Sequence, residues 1–189
     1  MPSGYTAAFP QNIILDMAVL YYKAYGGGST TKFGVSRGGI RFEPTIEWRH
    51  VEFDGLRSQI EGLHRITNRE GRISGTWLIE IPKHWPLVEP GITSAVNGGI
   101  TTWTPKAAST LLTPNTHYLQ DLRMVGTLAD GTLAEVFMGR ALCTRFAWVT
   151  ADKDEHLAEC EFISVLEDGL AATTTDTAPY VYKDRPTIS

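Results

Sequence analysis

The sequence predicts a mainly β protein, a β-sandwich or partly closed barrel of antiparallel hairpins with one flanking helix. The clearest strand is Arg72 to Ile81, where apolar residues at alternate positions 73, 77, 79 and 81 would form one buried face. Two dipeptides, Asp54-Gly55 and Asp130-Gly131, favour the positive φ angles of tight hairpin turns. A chain of 189 residues fits a single domain, predicted over 1–168.

Other strand-like segments are bounded by turn residues on either side of these hairpins. They are 12–22, 39–43, 46–53, 57–66, 141–149 and 157–166. A turn at Asp54-Gly55 places Glu52 opposite Arg57, which is a favourable cross-strand pair. The sequence therefore predicts a hairpin centred on that turn.

The turn at Asp130-Gly131 predicts a second hairpin with one apolar face. Asp121 would lie opposite Arg140 on its polar face. The residues expected together on the core face are Leu122, Met124, Leu128, Leu133 and Phe137. In the last predicted hairpin, Cys143 would lie across from Cys160, and both are expected to be reduced core thiols.

Three segments lack strand alternation and are predicted as loops or an arm. The first is 23–36, which contains the glycine run Gly26 to Gly28, and the second is 82–117. Within the second, Thr104-Pro105 supplies a helix N-cap and first-turn proline for a helix through Leu112. Residues 169–189 would form a C-terminal arm that becomes ordered on a neighbour's surface.

The charge distribution excludes some classes of function. Residues 1–81 hold nine Lys/Arg against eight Asp/Glu and 82–189 hold eight against thirteen, for a net charge of −4. Tight nucleic-acid binding needs a concentrated basic surface, so it is disfavoured. The longest apolar run is far shorter than the ~20 residues that span a bilayer, and the first ten residues do not resemble a secretory signal, so we expect cytoplasmic synthesis and no membrane role.

No motif predicts catalysis, a metal site or a cofactor. The five histidines, at 50, 64, 84, 117 and 156, are widely separated in sequence and form no zinc-binding pattern. Nucleophile-elbow and phosphate-loop motifs are absent, and the acidic turn Asp152 to Glu155 is typical of a solvated hairpin tip. Arg37-Gly38-Gly39 is interpreted as a bulge or turn. The chain is therefore expected not to be an enzyme.

The tryptophans leave one alternative open. Aromatic faces stack on sugars, so Trp48, Trp77, Trp85, Trp103 and Trp148 are compatible with a carbohydrate-binding β-sandwich of the receptor-binding or adhesin kind. Its ligand would bind at 82–117. Core packing or subunit contact explains the same residues.

Several segments occur in the order and spacing found in the major tail protein, or tail tube protein, of long-tailed phages (siphophages), and the chain resembles that family over most of residues 12–168. They are Asn12-Ile-Ile-Leu-Asp16, Phe33-Gly-Val-Ser-Arg37-Gly-Gly-Ile-Arg-Phe-Glu43-Pro, Val51-Glu-Phe-Asp-Gly55, Ile60-Glu-Gly-Leu63-His-Arg-Ile66, Thr104-Pro-Lys-Ala-Ala108, Tyr118-Leu-Gln-Asp-Leu-Arg123, Asp130-Gly131 and Ala141-Leu-Cys143. These motifs are structural rather than catalytic.

The resemblance implies a fold related to the inner tube protein of type VI secretion and a subunit that forms hexameric rings stacked into a tail tube. Its partners would be copies of itself and the tape-measure, tail terminator and baseplate proteins. Phage DNA would pass through a neutral to acidic lumen without specific binding. The protein would be assembled in the host cytoplasm and reside in the virion, and a secretion-system tube protein is the near alternative.

Candidate assembly residues accompany this resemblance. Positions expected to form the ring or fix its turns are Arg37, Gly38, Gly39, Glu52, Asp54, Gly55 and Arg57. Contacts between rings are expected from the loop residues Gly26, Gly27, Gly28 and Ser29, from 82–117 and from the arm. We expect no catalytic residue, metal ion or cofactor in this protein.

Overall fold

The computed structural model describes residues 18–23, 28–50, 64–79, 81–106, 118–149, 157–165 and 178–184. The prediction of a mainly antiparallel β protein with one helix is confirmed. The elements are β1 Val19–Lys23, β2 Thr31–Lys32, β3 Val35–His50, β4 His64–Leu78, α1 Ile81–Val88, β5 Ile92–Asn97, β6 Ile100–Pro105, β7 Leu119–Thr127, β8 Leu133–Val149, β9 Leu157–Ser164 and β10 Val181–Asp184.

Most of the strands form one antiparallel sheet in the order β2-β1-β7-β8-β9-β4-β3. Its two outermost strands, β2 and β3, are separated in the chain by only Phe33 and Gly34. Three Cα–Cα steps reach at most about 11 Å, so the two ends of the sheet must approach each other. The sheet therefore curls into a sandwich-like shape, although its hydrogen-bond ladder does not close into a barrel.

The core lies inside this curl and is built around Phe33. Its ring makes edge-to-face contacts with Trp77 and Phe162, with ring centroids 5.4 and 5.3 Å apart. The Phe33 amide donates to the Leu20 carbonyl over 2.8 Å, which fixes the crossing segment against β1. Burial of the predicted residues Ile73 and Trp77 confirms the inward face of β4.

Four segments predicted as separate strands form only two long strands in the structure. Segment 39–43 and the described part of 46–53 belong to one strand, β3, and the described parts of 57–66 and 72–81 form β4, which ends at Leu78. Strand β3 continues through Pro44 because it is an edge strand, where a missing amide hydrogen is tolerated. The predicted turn at Asp54-Gly55 lies outside the described residues.

A bulge near the start of β3 confirms the interpretation of Arg37-Gly38-Gly39. The register with β4 shifts between Ser36 and Ile40. Gly38 and Gly39 have φ angles of 83° and 94°, which favour glycine. The predicted loop 23–36 is thus wrong in part, because it contains β2 and the first residues of β3.

The predicted helix at Thr104-Pro105 is wrong, because both residues end strand β6. Threonines favour strands, and the Thr93 hydroxyl donates to the Thr104 carbonyl across the hairpin over 3.0 Å. Gly98 and Gly99, with φ angles of 58° and 83°, form the turn between β5 and β6. Segment 82–117 therefore contains a hairpin and most of the helix, which lies at Ile81–Val88.

The hairpin at Asp130-Gly131 is confirmed, but its register is not the predicted one. Thr127 pairs with Leu133 and Gln120 lies opposite Arg140, one residue away from the predicted pairing. A one-residue slip exchanges the two faces of a strand. Consequently Phe137 lies opposite Arg123, on the other face from Leu122 and its partner Met138.

Asp121 explains a local irregularity in the same hairpin. Its φ angle is 49°, and its carboxylate pairs with Lys23 over 2.7 Å rather than lying opposite Arg140 as predicted. Strand β1 also shifts register between Tyr21 and Lys23, at the same level of the sheet. This ion pair therefore accompanies a bend shared by β1 and β7.

The C-terminal strand β10 pairs with β8 of its own chain, with Lys183 opposite Glu135. Tyr180, just before β10, contacts Phe42 with ring centroids 5.3 Å apart. The expectation that the arm becomes ordered on a neighbour is therefore wrong for 178–184, because β8 offers a free edge beyond the end of β9.

The two cysteines are free and buried, as predicted, but they are not directly opposite. Cys143 pairs with Phe162 and Cys160 pairs with Phe146, because the register differs from the predicted one and shifts again between Cys143 and Arg145. A hydrogen bond with Cys143, burial and the charge of a neighbouring thiolate all raise the pKa of Cys160 well above its ordinary value. Cys160 therefore remains a thiol in the folded protein.

Raising the pH should destabilise the fold through Cys160. Below a pH of about 8.5 both states carry the thiol; above it the unfolded chain ionises while the folded chain does not, so stability falls. We expect the urea midpoint to fall less steeply between pH 8 and 10 in Cys160→Ala than in the natural protein. Parallel slopes for the two proteins would contradict this assignment.

The seam where the sheet ends meet should not tolerate a side chain at position 34. A Cβ on Gly34 would lie 2.6 Å from the Leu78 carbonyl oxygen and 2.9 Å from Cγ2 of Ile79. We expect Gly34→Ala to lower the free energy of unfolding by about 1–3 kcal/mol in urea denaturation, because backbone must move. Gly98→Asn is the control, since that turn is open and asparagine tolerates its positive φ.

Candidate assembly surface

The outer half of the β3–β4 hairpin extends beyond the rest of the sheet. Strand β9 pairs with β4 only from Arg72 to Trp77. Residues 45–50 and 64–70 therefore pair only with each other among the described residues, and we call them the ribbon. Nearly all of them are exposed. A two-stranded hairpin alone is marginally stable in water, so the ribbon is expected to need a covering surface.

The two faces of the ribbon differ in chemistry. On one face Trp48 lies opposite Ile66 and Ile46 lies opposite Arg69, in line with Phe42 and Ile73 nearer the core. Arg69 is the charged exception on this mainly apolar face. The opposite face is charged and polar. Its cross-strand pairs are Thr45 with Glu70, Glu47 with Asn68 and Arg49 with Arg65, and the pairs Glu43 with Arg72 and Arg41 with Ser74 continue this face toward the core. The ribbon is thus an amphipathic extension of the core.

The apolar face remains accessible in the single chain. Trp48 is 57% exposed, Ile66 47% and Ile46 46%. Adjacent exposed apolar side chains of this size mark interaction surfaces more often than isolated ones do. The apolar face of the ribbon is therefore the strongest candidate for a contact with another protein.

The outer edge of β3 adds a second feature to the same region. This strand ends the sheet and runs for 16 residues, whereas β2 at the other end has two. Near its start, exposed Val35 lies opposite exposed Leu78. Long edge strands present unpaired amides and carbonyls that recruit another strand. Among the described strands, β3 is the natural site for edge-to-edge pairing.

The β5–β6 hairpin is a second projection. Its strands pair only with each other among the described elements. Val96 and Ile100, beside the Gly98-Gly99 turn, are 73% and 71% exposed. This hairpin lies within 82–117, which the sequence analysis assigned to contacts between rings. It therefore offers a defined apolar tip for that predicted contact.

A buried charge cluster holds β10 against the free edge of β8. Glu135 is 1% exposed and faces Lys183 at 3.6 Å and Arg123 at 3.9 Å. Both cations also lie over the Phe137 ring, at 4.1 and 5.4 Å from its centre. Two cations around one buried carboxylate offset its desolvation. The C-terminal strand is therefore fixed by charge as well as by its ladder.

Only some of the residues predicted to take part in assembly lie within the described part of the chain. Arg37, Gly38 and Gly39 lie in the bulge of β3, on the strand that continues into the ribbon. Gly28 and Ser29 are exposed just before β2. The remaining predicted positions, Glu52, Asp54, Gly55, Arg57, Gly26 and Gly27, lie outside the described residues.

The apolar ribbon residues were not predicted as a site. Their signal was present in the sequence, since Phe42, Ile46 and Trp48 alternate with Glu43, Thr45 and Glu47. Such alternation predicts a buried face, and only the sheet topology identifies it as uncovered.

The tryptophans do not form one sugar-binding platform. Trp77 is buried, while Trp85 contacts Trp148 with ring centroids 6.2 Å apart. Trp148 lies level with Trp77 across β9, and Trp48 lies opposite Ile66. From Ile66 to Trp77 strand β4 advances roughly 35 Å at about 3.3 Å per residue. The two exposed tryptophans, Trp48 and Trp148, are therefore too far apart to bind one sugar.

The described residues contain no group of three or more His, Cys, Asp or Glu residues that could hold a metal ion. Across those residues, too, no helix is both long and apolar enough to cross a membrane.

No family model matches the chain, and no curated protein matches its sequence. Solved structures that match this chain include one from the tail of an empty gene transfer agent particle with C6 symmetry. The identity is 13%, the TM-score 0.44, and the match covers 78% of this chain and 90% of that one. A chain from the virion of a native gene transfer agent particle matches over the same shares with 11% identity and a TM-score of 0.41. Likenesses at this level do not establish a function for this chain.

Proposed function

We propose that the chain is a structural subunit of the tail tube of a long-tailed phage or a related particle. Identical copies associate side by side into hexameric rings, and the rings stack into a tube that conducts the genome. The observation that carries this proposal is the ribbon, whose apolar face continues the core but is left exposed in the single chain. The order of motifs in the sequence supports the same family.

The positions of the ribbon and of the β3 edge support ring formation. The ribbon projects past the end of β9, so its apolar face can reach the body of the next copy. A contact between two different surfaces of identical subunits repeats around an axis and closes a ring when the rotation allows. Closure would cover Trp48, Ile46 and Ile66 in every copy and pair the exposed edge of β3.

Stacking of rings requires a separate contact along the tube axis. The β5–β6 hairpin supplies a projecting apolar tip, with Val96 and Ile100 beside its turn. Exposed Gly28 and Ser29 belong to the loop assigned to the same contact. Tape-measure, tail terminator and baseplate proteins would bind the tube inside or at its ends.

The tube wall is proposed to be passive toward DNA. Attraction between Lys or Arg and phosphates would retard a genome moving through the lumen. The net charge of −4 fits a wall with more Asp and Glu than Lys and Arg. Assembly would take place in the host cytoplasm, and the protein would function in the virion.

Replacing one apolar ribbon residue should block assembly without unfolding the chain. We expect the natural protein to form rings or tubes in negative-stain electron microscopy, and Ile46→Asn to remain monomeric in sedimentation velocity. Ile46 is 46% exposed, so the variant should lose little stability, within about 0.5 kcal/mol.

Thr45→Asn is the matched control, because position 45 lies next to Ile46 on the charged face. This variant should form the same assemblies as the natural protein. A natural protein that remains monomeric at high concentration would refute the proposed function. Equal assembly by Ile46→Asn and Thr45→Asn would instead remove the ribbon from the contact.

A further inference from the structure

Two of the five histidines, which are separated in the sequence, meet at the end of the ribbon. His50 is the last residue of β3 and His64 is the first of β4, and the register places them directly opposite. Their ring centroids are 5.2 Å apart, with the ring planes inclined at 58°. Cross-strand neighbours project to the same face, so both imidazoles are available to one ligand.

The distance between the His50 and His64 ring centroids is the one expected for two imidazoles bound to a single zinc ion. The centre of an imidazole lies about 3.2 Å from a zinc ion bound to one of its nitrogens, since the Zn–N distance is about 2.0–2.1 Å. Two such rings at the tetrahedral angle have centres about 5.2 Å apart, and at a right angle about 4.5 Å apart. The spacing of His50 and His64 matches the tetrahedral arrangement.

Two neighbouring features favour a ligand at this pair. Nδ1 of His50 is shielded from solvent and has no hydrogen-bond partner within the described part of the chain. The indole of Trp48 lies 4.8 Å from the His64 ring at 33°, which orients that imidazole. Arg49 and Arg65 belong to the opposite face of the ribbon.

We propose that His50 and His64 form a binding site for a divalent transition-metal ion, with zinc as the best geometric fit. Neutral imidazole is a ligand for zinc, copper and nickel, and two water molecules would complete a tetrahedral zinc site. The ion would link the last residue of β3 to the first residue of β4 and so hold the two strand ends together. The site does not depend on the proposed assembly function.

The test is a titration of the full chain, freed of metal by a chelator, with zinc chloride in a calorimeter. We expect one zinc ion per chain, and a loss of affinity of at least tenfold in either His50→Gln or His64→Gln. Neither side chain is buried, so both variants should keep the circular dichroism spectrum of the natural protein. His156→Gln is the matched control and should bind as the natural protein does.

A second readout locates the ion. Copper(II) binds the same ligands more tightly than zinc and quenches nearby indole emission, so it should quench Trp48. In Trp48→Phe that quenching should disappear. The proposal is overturned if the natural protein takes up no zinc, if the His50→Gln/His64→Gln double variant binds it undiminished, or if Trp48→Phe is quenched as strongly as the natural protein.

Discussion

The two-residue connection between opposite ends of the sheet is the constraint on which the rest of the fold depends. Phe33 and Gly34 must carry the chain from β2 to β3, so the sheet cannot lie flat. Phe33 then necessarily enters the space enclosed by the curl, where Trp77 and Phe162 surround it. Gly34 is required at the crossing because Leu78 and Ile79 leave no room for a Cβ.

The short connection between β2 and β3 also determines which parts of the sheet remain exposed to solvent. Because β3 is joined to β2 at the seam, its other end must run outward beyond β9, taking the first residues of β4 with it. The core is filled by the chain's own side chains, and strand β10 pairs with the free edge of β8. Among the described residues, most of the exposed large apolar side chains therefore lie in the ribbon, at the start of the β3–β4 pair and in the β5–β6 hairpin, while Trp148, Val149 and Tyr182 lie in β8 and β10.

Local patterns in the sequence predicted the strand content but not the registers. Alternation identified the buried face of β4, and Asp130-Gly131 identified a hairpin, because both signals lie within a few residues. The register of that hairpin was wrong by one residue, since the chain turns through Ala129, Asp130 and Gly131 rather than through two residues. That single residue moved Phe137 to the other face and separated Asp121 from Arg140.

Errors in segment 82–117 have a different cause. Thr104-Pro105 is a good helix start by local rules, but Thr93 and its neighbours pair with that segment across Gly98-Gly99. The ribbon could not be recognised as a site for a similar reason. Its alternation is identical to that of a core strand, and only the length of β9 decides that Ile46 and Trp48 lack a cover.

The proposed contact and the histidine pair lie on one surface, and this has a thermodynamic consequence. Trp48 belongs to the apolar face that a neighbouring copy would cover, and it also contacts His64. If docking alters the affinity of the pair for an ion, the ion must alter docking by the same factor, because linkage is reciprocal. An ion that links the ends of β3 and β4 would also restrict the ribbon before docking, and so reduce the conformational entropy lost on docking. Metal binding and ring formation would therefore reinforce each other while remaining separable by substitution.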